Sequence, residues 1–149
     1  MEMTHLFQWL RMKISDMPKL LQVYLMVSDL EISRNFYESI IGLDPSEIGK
    51  KTCAYSMDGC ELKLQTDFEP IALKAFNLNP PKEGHRGDGA VYVIRIDKNL
   101  SRLYEMMKEK IINSKGELVT EPRNVPWGES MCLVRDPDGY LIELRGNNN

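Results

Sequence analysis

The chain is short of the residues and patterns that usually announce a chemistry. Its three cysteines, Cys53, Cys60 and Cys132, are odd in number and lack C-x-x-C spacing. That excludes a disulfide framework and a zinc knuckle, and it fits reduced thiols of a cytoplasmic protein. No apolar run is long enough to cross a bilayer. The opening M-E-M-T-H-L-F-Q-W-L-R-M-K has neither the basic flank nor the uniform apolar core of a signal peptide. Nineteen basic residues stand against twenty-two acidic ones, for a net charge of −3 without a basic run. Neither nucleic acid nor a membrane is therefore an expected partner. G-x-S-x-G, a Walker loop, H-E-x-x-H and a dinucleotide fingerprint are all missing, which closes those routes to catalysis. Of the two histidines, His85 sits in a glycine-rich stretch, E-G-H-R-G-D-G, five residues before Ala90; it is read as solvated, with a swing inward as a substitute ligand or base as the alternative, and His5 is the weaker candidate.

What the chain does have is an internal repeat. Gln22–Tyr37 reads Q-V-Y-L-M-V-S-D-L-E-I-S-R-N-F-Y, and Ala90–Glu105 reads A-V-Y-V-I-R-I-D-K-N-L-S-R-L-Y-E. Without a gap, Val23, Tyr24, Asp29, Ser33 and Arg34 coincide with Val91, Tyr92, Asp97, Ser101 and Arg102. A second echo closes each half, D-G-C-E-L-K-L at Asp58–Leu64 and D-G-Y-L-I-E-L at Asp138–Leu144. Such a repeat indicates two copies of one supersecondary unit sharing a core. The 149 residues suffice for one domain.

Each half reads as βαβββ, an α+β architecture. In the first, a strand at Leu21–Val27 leads through a Ser28 or Asp29 cap to a helix with Ile32, Phe36, Ile40 and Ile41 on one face, ended by Gly42. Strands follow near 44–48, 52–56 and 61–65. In the second, the matching elements are a strand near 90–96, a helix near 100–113 with Leu103, Met106, Met107 and Ile111 inward, and strands near 117–120, 130–134 and 140–145. The D-P-D-G at Asp136–Gly139 is a turn between the last two. Residues 21–67 and 90–146 form the two modules of one domain, 68–89 is a long connection, and 1–20 is a helical extension. In that extension Thr4 is the expected N-cap, and Leu6, Phe7, Trp9 and Leu10 are the apolar positions. Asn147–Asn149 is expected to fray.

Paired βαβββ units of this kind resemble the vicinal oxygen chelate superfamily, which holds glyoxalase I, extradiol dioxygenases, methylmalonyl-CoA epimerase, fosfomycin-resistance enzymes and bleomycin-resistance proteins. The likeness is carried by V-S-D-L-E-I-S-R-N-F-Y at Val27–Tyr37, I-G-L at Ile41–Leu43, P-W-G at Pro126–Gly128 and R-D-P-D-G-Y-L-I-E-L at Arg135–Leu144. It spans about Leu21 to Gly146 and implies two modules forming an open, cleft-lined, barrel-like sheet. The fold hosts many chemistries, so the reaction has to be argued from the site.

The resemblance also implies where a divalent metal would sit, on one residue from the first and last strand of each module. Those positions fall on Gln22, Lys63, Ala90 and Glu143. Ala90 has no donor atom, and a protonated Lys63 has no lone pair to offer. Two ligands are too few, so the expectation is a cleft without metal or other cofactor, nearest in type to the metal-free members. Lys63 is expected to pair with Glu143 and replace the missing charge, with Gln22 as a third partner. Tyr24, Tyr92, Glu61, Gln65 and Trp127 are further candidates to line the cleft, with Met26 and Ile94 beside the tyrosines.

Three functions fit these readings. The first is binding of a small organic molecule in a metal-free cleft, by a protein that pairs as a homodimer. The second is an enzyme, either a metal-dependent lyase, isomerase or dioxygenase, or a metal-free one with Glu143 as base and Lys63 as electrostatic partner. The third is a non-catalytic dimer with a vestigial cleft.

Overall fold

The computed structural model describes residues 3–15 and 17–147. The first module runs β1 (Gln22–Val27), α2 (Leu30–Asn35), β2 (Glu47–Ile48), β3 (Thr52–Met57) and β4 (Cys60–Thr66); α1 (Met3–Ser15) precedes it. A short helix, α3 (Pro70–Ala75), interrupts the connection. The second module runs β5 (Tyr92–Asn99), α4 (Leu100–Lys110), β6 (Glu117–Leu118), β7 (Arg123–Asn124), β8 (Ser130–Arg135) and β9 (Leu141–Asn147). Each module makes its own sheet, in the orders β1-β4-β3-β2 and β5-β9-β8-β6, with β7 also on β8. In both, the first strand lies parallel to the last. That pairing is the βαβββ plan, with the helix as the crossover.

Strand alternation decides which face of each sheet is covered. Leu25, Val27, Leu62 and Leu64 of the first sheet and Ile94, Ile96, Ile142 and Leu144 of the second are buried in one shared core. The helices supply the rest of it. Asp29 caps α2 by accepting from the Ile32 amide, and α2 continues as a π-helix over Phe36–Ile41. The wider i→i+5 repeat puts Phe36, Tyr37, Ile40 and Ile41 on one stripe, and all four are buried. Gly42, at a φ of 94°, ends it by donating to the Tyr37 carbonyl. On α4 the buried residues are Leu100, Leu103, Tyr104 and Met107; Met106 is exposed, contrary to expectation. Each sheet lies on its own module's helix, and α4 packs on the π-helix segment in the shared core, so the opposite face of each sheet looks outward.

Two carboxylates of the Asp136–Gly139 turn join the modules. Asp136 accepts from the Tyr37 hydroxyl at 2.6 Å and from the amides of Asp138 and Tyr140. Asp138 accepts from the amide and hydroxyl of Ser28 and from the Ser33 hydroxyl. Arg86, from the connection, lies 3.8 Å from Asp138, makes a two-pronged pair with Asp67, and donates to the Met26 carbonyl. Among the described residues, no buried side-chain nitrogen or oxygen lacks a partner.

In α1 the helix starts at Met3, so Thr4 lies inside it, and Leu6, Phe7 and Trp9 are exposed. The Leu10 side chain, and Asn148 and Asn149 of the tail, fall outside what the structure describes.

Burial raises the Asp136 carboxyl to about 6, from an ordinary 3.8. Its bonds from Tyr37 and two amides pull the other way but are outweighed. The folded state therefore binds this proton more tightly than the unfolded chain. Its contribution to stability is fully present below about pH 4 and is lost as the pH rises through 6. Asp136→Asn keeps the shape and both amide bonds, and its NH2 can donate to the Tyr37 oxygen. Denaturant titrations should show the native protein gaining on this variant as the pH falls from 7 to 4; a difference that does not change with pH would refute the assignment.

Candidate functional site

The outward face of the first sheet is polar and aromatic. Gln22, Tyr24 and Met26 of β1 pair with Glu61, Lys63 and Gln65 of β4. All six alternate with buried neighbours, so they share that face. Tyr24 is 49% exposed. Its ring packs on Phe68 (centroids 6.4 Å apart), which packs on Phe76 in turn. The Lys63 ammonium lies 5.9 Å from the Tyr24 ring centre, within cation–π range. Gln22 donates to the Glu61 carboxylate, and Gln65 to the Thr66 carbonyl.

The outward face of the second sheet carries Glu143 and Arg145 of β9, Val93 and Arg95 of β5, and Met131 and Leu133 of β8. Glu143 accepts from Arg145 at 2.6 Å. Arg95 makes two bonds to Glu129, both at 2.8 Å, and this hydrogen bonding holds the Glu129 carboxyl below its usual range. The Arg145 guanidinium lies 5.3 Å from the Trp127 ring centre, a cation–π stack on a side chain that is 60% exposed.

Several expectations need correction. The Lys63–Glu143 ion pair is not made: Glu143 is held by Arg145, and among the described residues Lys63 has no carboxylate within ion-pair distance. The two residues lie on outward faces of separate sheets. The repeat is also out of register by one residue. Lys63 and Glu143 match through the two D-G turns, and they pair with Tyr24 and Val93, not Tyr24 and Tyr92. A one-residue slip turns a strand over. Tyr92 is therefore half-buried beside Tyr140 (6.4 Å), and Ile94 is in the core. The counterpart of Gln22 becomes Val91, not Ala90. A register irregularity between Arg95 and Asn99 explains the error: the cap of α4 is Asn99, two residues beyond Asp97, so no single offset fits strand and helix.

The corrected positions suit a divalent ion no better. Val91 offers no donor, Lys63 carries an ammonium, Glu143 is held by a guanidinium, and the Gln22 side chain bonds Glu61. Among the described residues, no three His, Cys, Asp or Glu side chains are grouped to hold a metal. His85 is exposed and bonds Asp88 within the connection. Arg95, Glu129, Arg145, Phe68 and Phe76 were not found from sequence. Alternation along β9 from Glu143 would have indicated Arg145, whereas Arg95 was hidden by the wrong register.

A model of the glyoxalase/bleomycin resistance protein/dioxygenase superfamily matches residues 19–144. No curated protein matches. Among solved structures, a glyoxalase-related enzyme from Fulvimarina pelagi is similar at 20% identity over 88% of this chain and 89% of that one, with a TM-score of 0.68. A glyoxalase/bleomycin resistance protein from Albidiferax ferrireducens T118 is similar at 22% identity, over 85% and 96% of the chains, with a TM-score of 0.59. A glyoxalase/bleomycin resistance protein/dioxygenase from Nocardioides is similar at 18%, over 96% and 92%, with a TM-score of 0.63. At these identities the likeness concerns the fold.

The side-chain pairing gives a direct test. Lys63→Ala should change unfolding free energy by no more than about 0.5 kcal/mol. Arg145→Ala, which strips the half-buried Glu143 of its partner, should cost about 1 kcal/mol. Equal losses would restore a role for Lys63 in holding Glu143.

Proposed function

Because the chain belongs to the glyoxalase/bleomycin resistance protein/dioxygenase superfamily, we propose that it binds a small, flat organic molecule without a metal, in clefts completed by a second copy of itself. The observation carrying this reading is the pair of outward sheet faces. They present Tyr24, Phe68, Phe76 and Trp127 for stacking and Lys63, Arg95 and Arg145 for polar anchoring, where metal-binding relatives need donor atoms. Aromatic walls with a few placed polar groups are the usual make-up of a small-molecule site.

The same exposure supports dimerisation. Tyr24, Val91, Val93 and Trp127 are each about half exposed or more, and a single chain turns these faces outward. A second copy related by a twofold axis would set the first module of each chain against the second module of the other and close two equal clefts. Lys63 of one copy and Arg145 of the other would then line the same cleft as polar anchors for the ligand. Glu143 as a general base is the weaker role, because one of its carboxylate oxygens is already engaged by Arg145. The free cysteines support a reducing compartment such as the cytoplasm.

Elemental analysis of tag-free protein, light scattering after size exclusion, and a thermal-shift screen against flat aromatic compounds test the proposal together. The expected results are sub-stoichiometric metal, a dimeric mass, no response to Zn, Ni, Mn, Fe(II) or Mg, and ligand-induced shifts lost in Tyr24→Ala and Trp127→Ala. A stoichiometric metal would overturn the reading and direct attention to metal-dependent lyase, isomerase or dioxygenase chemistry.

A further inference from the structure

We infer that Arg86 is a positioning residue for the first sheet's outward face, taking that face, as proposed above, to be a ligand site. It clasps the connection between the modules shut, and so orients the aromatic wall that the connection lays beside Tyr24. That wall does not belong to the sheet. Phe68 and Phe76 come from the connection; Phe68 packs on Tyr24 at 6.4 Å and on Phe76 at 6.5 Å between ring centres. Connections longer than about 12–15 residues are uncommon inside a compact domain, and they are usually either slack or functional. This one is not slack.

Its two ends are locked together. The Arg86 side chain is only 2% exposed, and all five of its N–H donors are engaged. Nη1 donates to the Met26 carbonyl at 3.0 Å and to Asp67 at 2.7 Å. Nη2 donates to the other Asp67 oxygen at 2.8 Å and to Glu83, and Nε donates to Glu83 at 3.1 Å. The Asp67 amide donates in turn to the Val27 carbonyl at 3.1 Å. Asp67 is therefore held by backbone and by side chain, and Phe68 is the next residue. The far end is fixed sterically. Gly87 has a φ of 74°, and a Cβ there would lie 2.4 Å from the Tyr140 ring, so only glycine fits.

The clasp reaches the ligand face directly. Met26 is two residues from Tyr24 and shares its face of β1, and the same guanidinium lies 3.8 Å from Asp138 at the joint between modules. One cation thus ties the ligand face, the start of the connection and the joint. A lysine would keep the charge but not the two-pronged hold on Asp67. Releasing Asp67 frees Phe68, and a ring that must be ordered on binding stacks more weakly than one already in place.

The chain has four phenylalanines, Phe7, Phe36, Phe68 and Phe76. Full-length protein labelled with 4-fluorophenylalanine therefore reports the wall by fluorine NMR, with the fully buried Phe36 as a control for the fold. In Arg86→Lys and in Asp67→Asn the Phe68 and Phe76 signals should shift or broaden while Phe36 stays in place. The double variant should do no more than either single one. Affinity for the probe 1-naphthoate, read on the same signals, should fall about fivefold in each. Asp67→Asn decides the matter if Arg86→Lys does not fold. Ser33→Ala removes a bond to Asp138 without touching the connection, and should leave both wall and affinity unchanged. The inference is overturned if Phe68 is unmoved in the clasp variants, if Phe36 moves with it, or if Ser33→Ala reproduces the change. Failure of the unsubstituted protein to bind naphthoate would instead count against the ligand reading of the face, and the fluorine signals would still decide whether Arg86 orients the wall.

Discussion

The arrangement of the two modules rests on a pair of buried carboxylates in one turn. Asp138 takes three hydrogen bonds from Ser28 and Ser33 where the chain passes from β1 into α2. Asp136 takes the Tyr37 hydroxyl one turn further on. The second module thereby holds the start of the first module's helix, and the apolar faces of both sheets close on one core. The charges are compensated unequally. Asp138 has a guanidinium nearby, itself shared with Asp67 and Glu83. Asp136 has only neutral donors, and burial dominates its proton affinity. A network this fully satisfied specifies one geometry, because a slip of either module would take the Ser28 and Ser33 bonds from Asp138 and the Tyr37 bond from Asp136.

That geometry explains the state of the outward faces. If the modules faced each other within one chain, Lys63 and Glu143 could meet and each would answer the other's charge. Turned apart, each face settles its own charges: Glu143 with Arg145, Glu129 with Arg95, Glu61 with the Gln22 amide. Lys63 is left with an aromatic ring, a weaker partner that does not neutralise it. Under the proposed function, Lys63, which lacks a carboxylate, would be the cation available to an anionic or electron-rich ligand, while Arg145 is already oriented between Glu143 and Trp127. Orientation before binding reduces the entropic cost of capture.

Much of the fold could be read from sequence because it depends on local chemistry. The Asp29 cap, the Gly42 stop, the D-G turns and the alternation of β4 and β9 each speak for themselves, and the D-G echoes placed Lys63 and Glu143 at equivalent positions. The α3 helix was missed because six residues beginning at Pro70 carry too little periodicity. The site was only half legible. Lys63, Gln22, Glu61, Gln65 and Tyr24 fell on one face because β1 and β4 are regular, whereas the irregularity beyond Arg95 broke the match and sent Tyr92 and Ile94 to the wrong side. Asp136 and Asp138 read as turn formers, since nothing in D-P-D-G states that the other module's serines and tyrosine will enclose it.

The divergence of equivalent positions is where the two halves take on separate tasks. Asp58 and Asp138 occupy the same place in their turns, but Asp138 is buried as the joint between modules and Asp58 is exposed at the rim of a groove. Tyr140 reaches the outward carbonyl of β1, and Cys60, its counterpart, is too short to do the same for β5. Both differences run in one direction. An unpaired edge invites pairing with other chains and is ordinarily blunted by charge, irregularity or cover. Edge β1 is covered by Tyr140 and Arg86. Edge β5 has Lys98 and the irregularity beyond Arg95. The two halves thus supply two similar edges, and one of them is covered by Tyr140 of the D-G-x motif together with Arg86 of the connection.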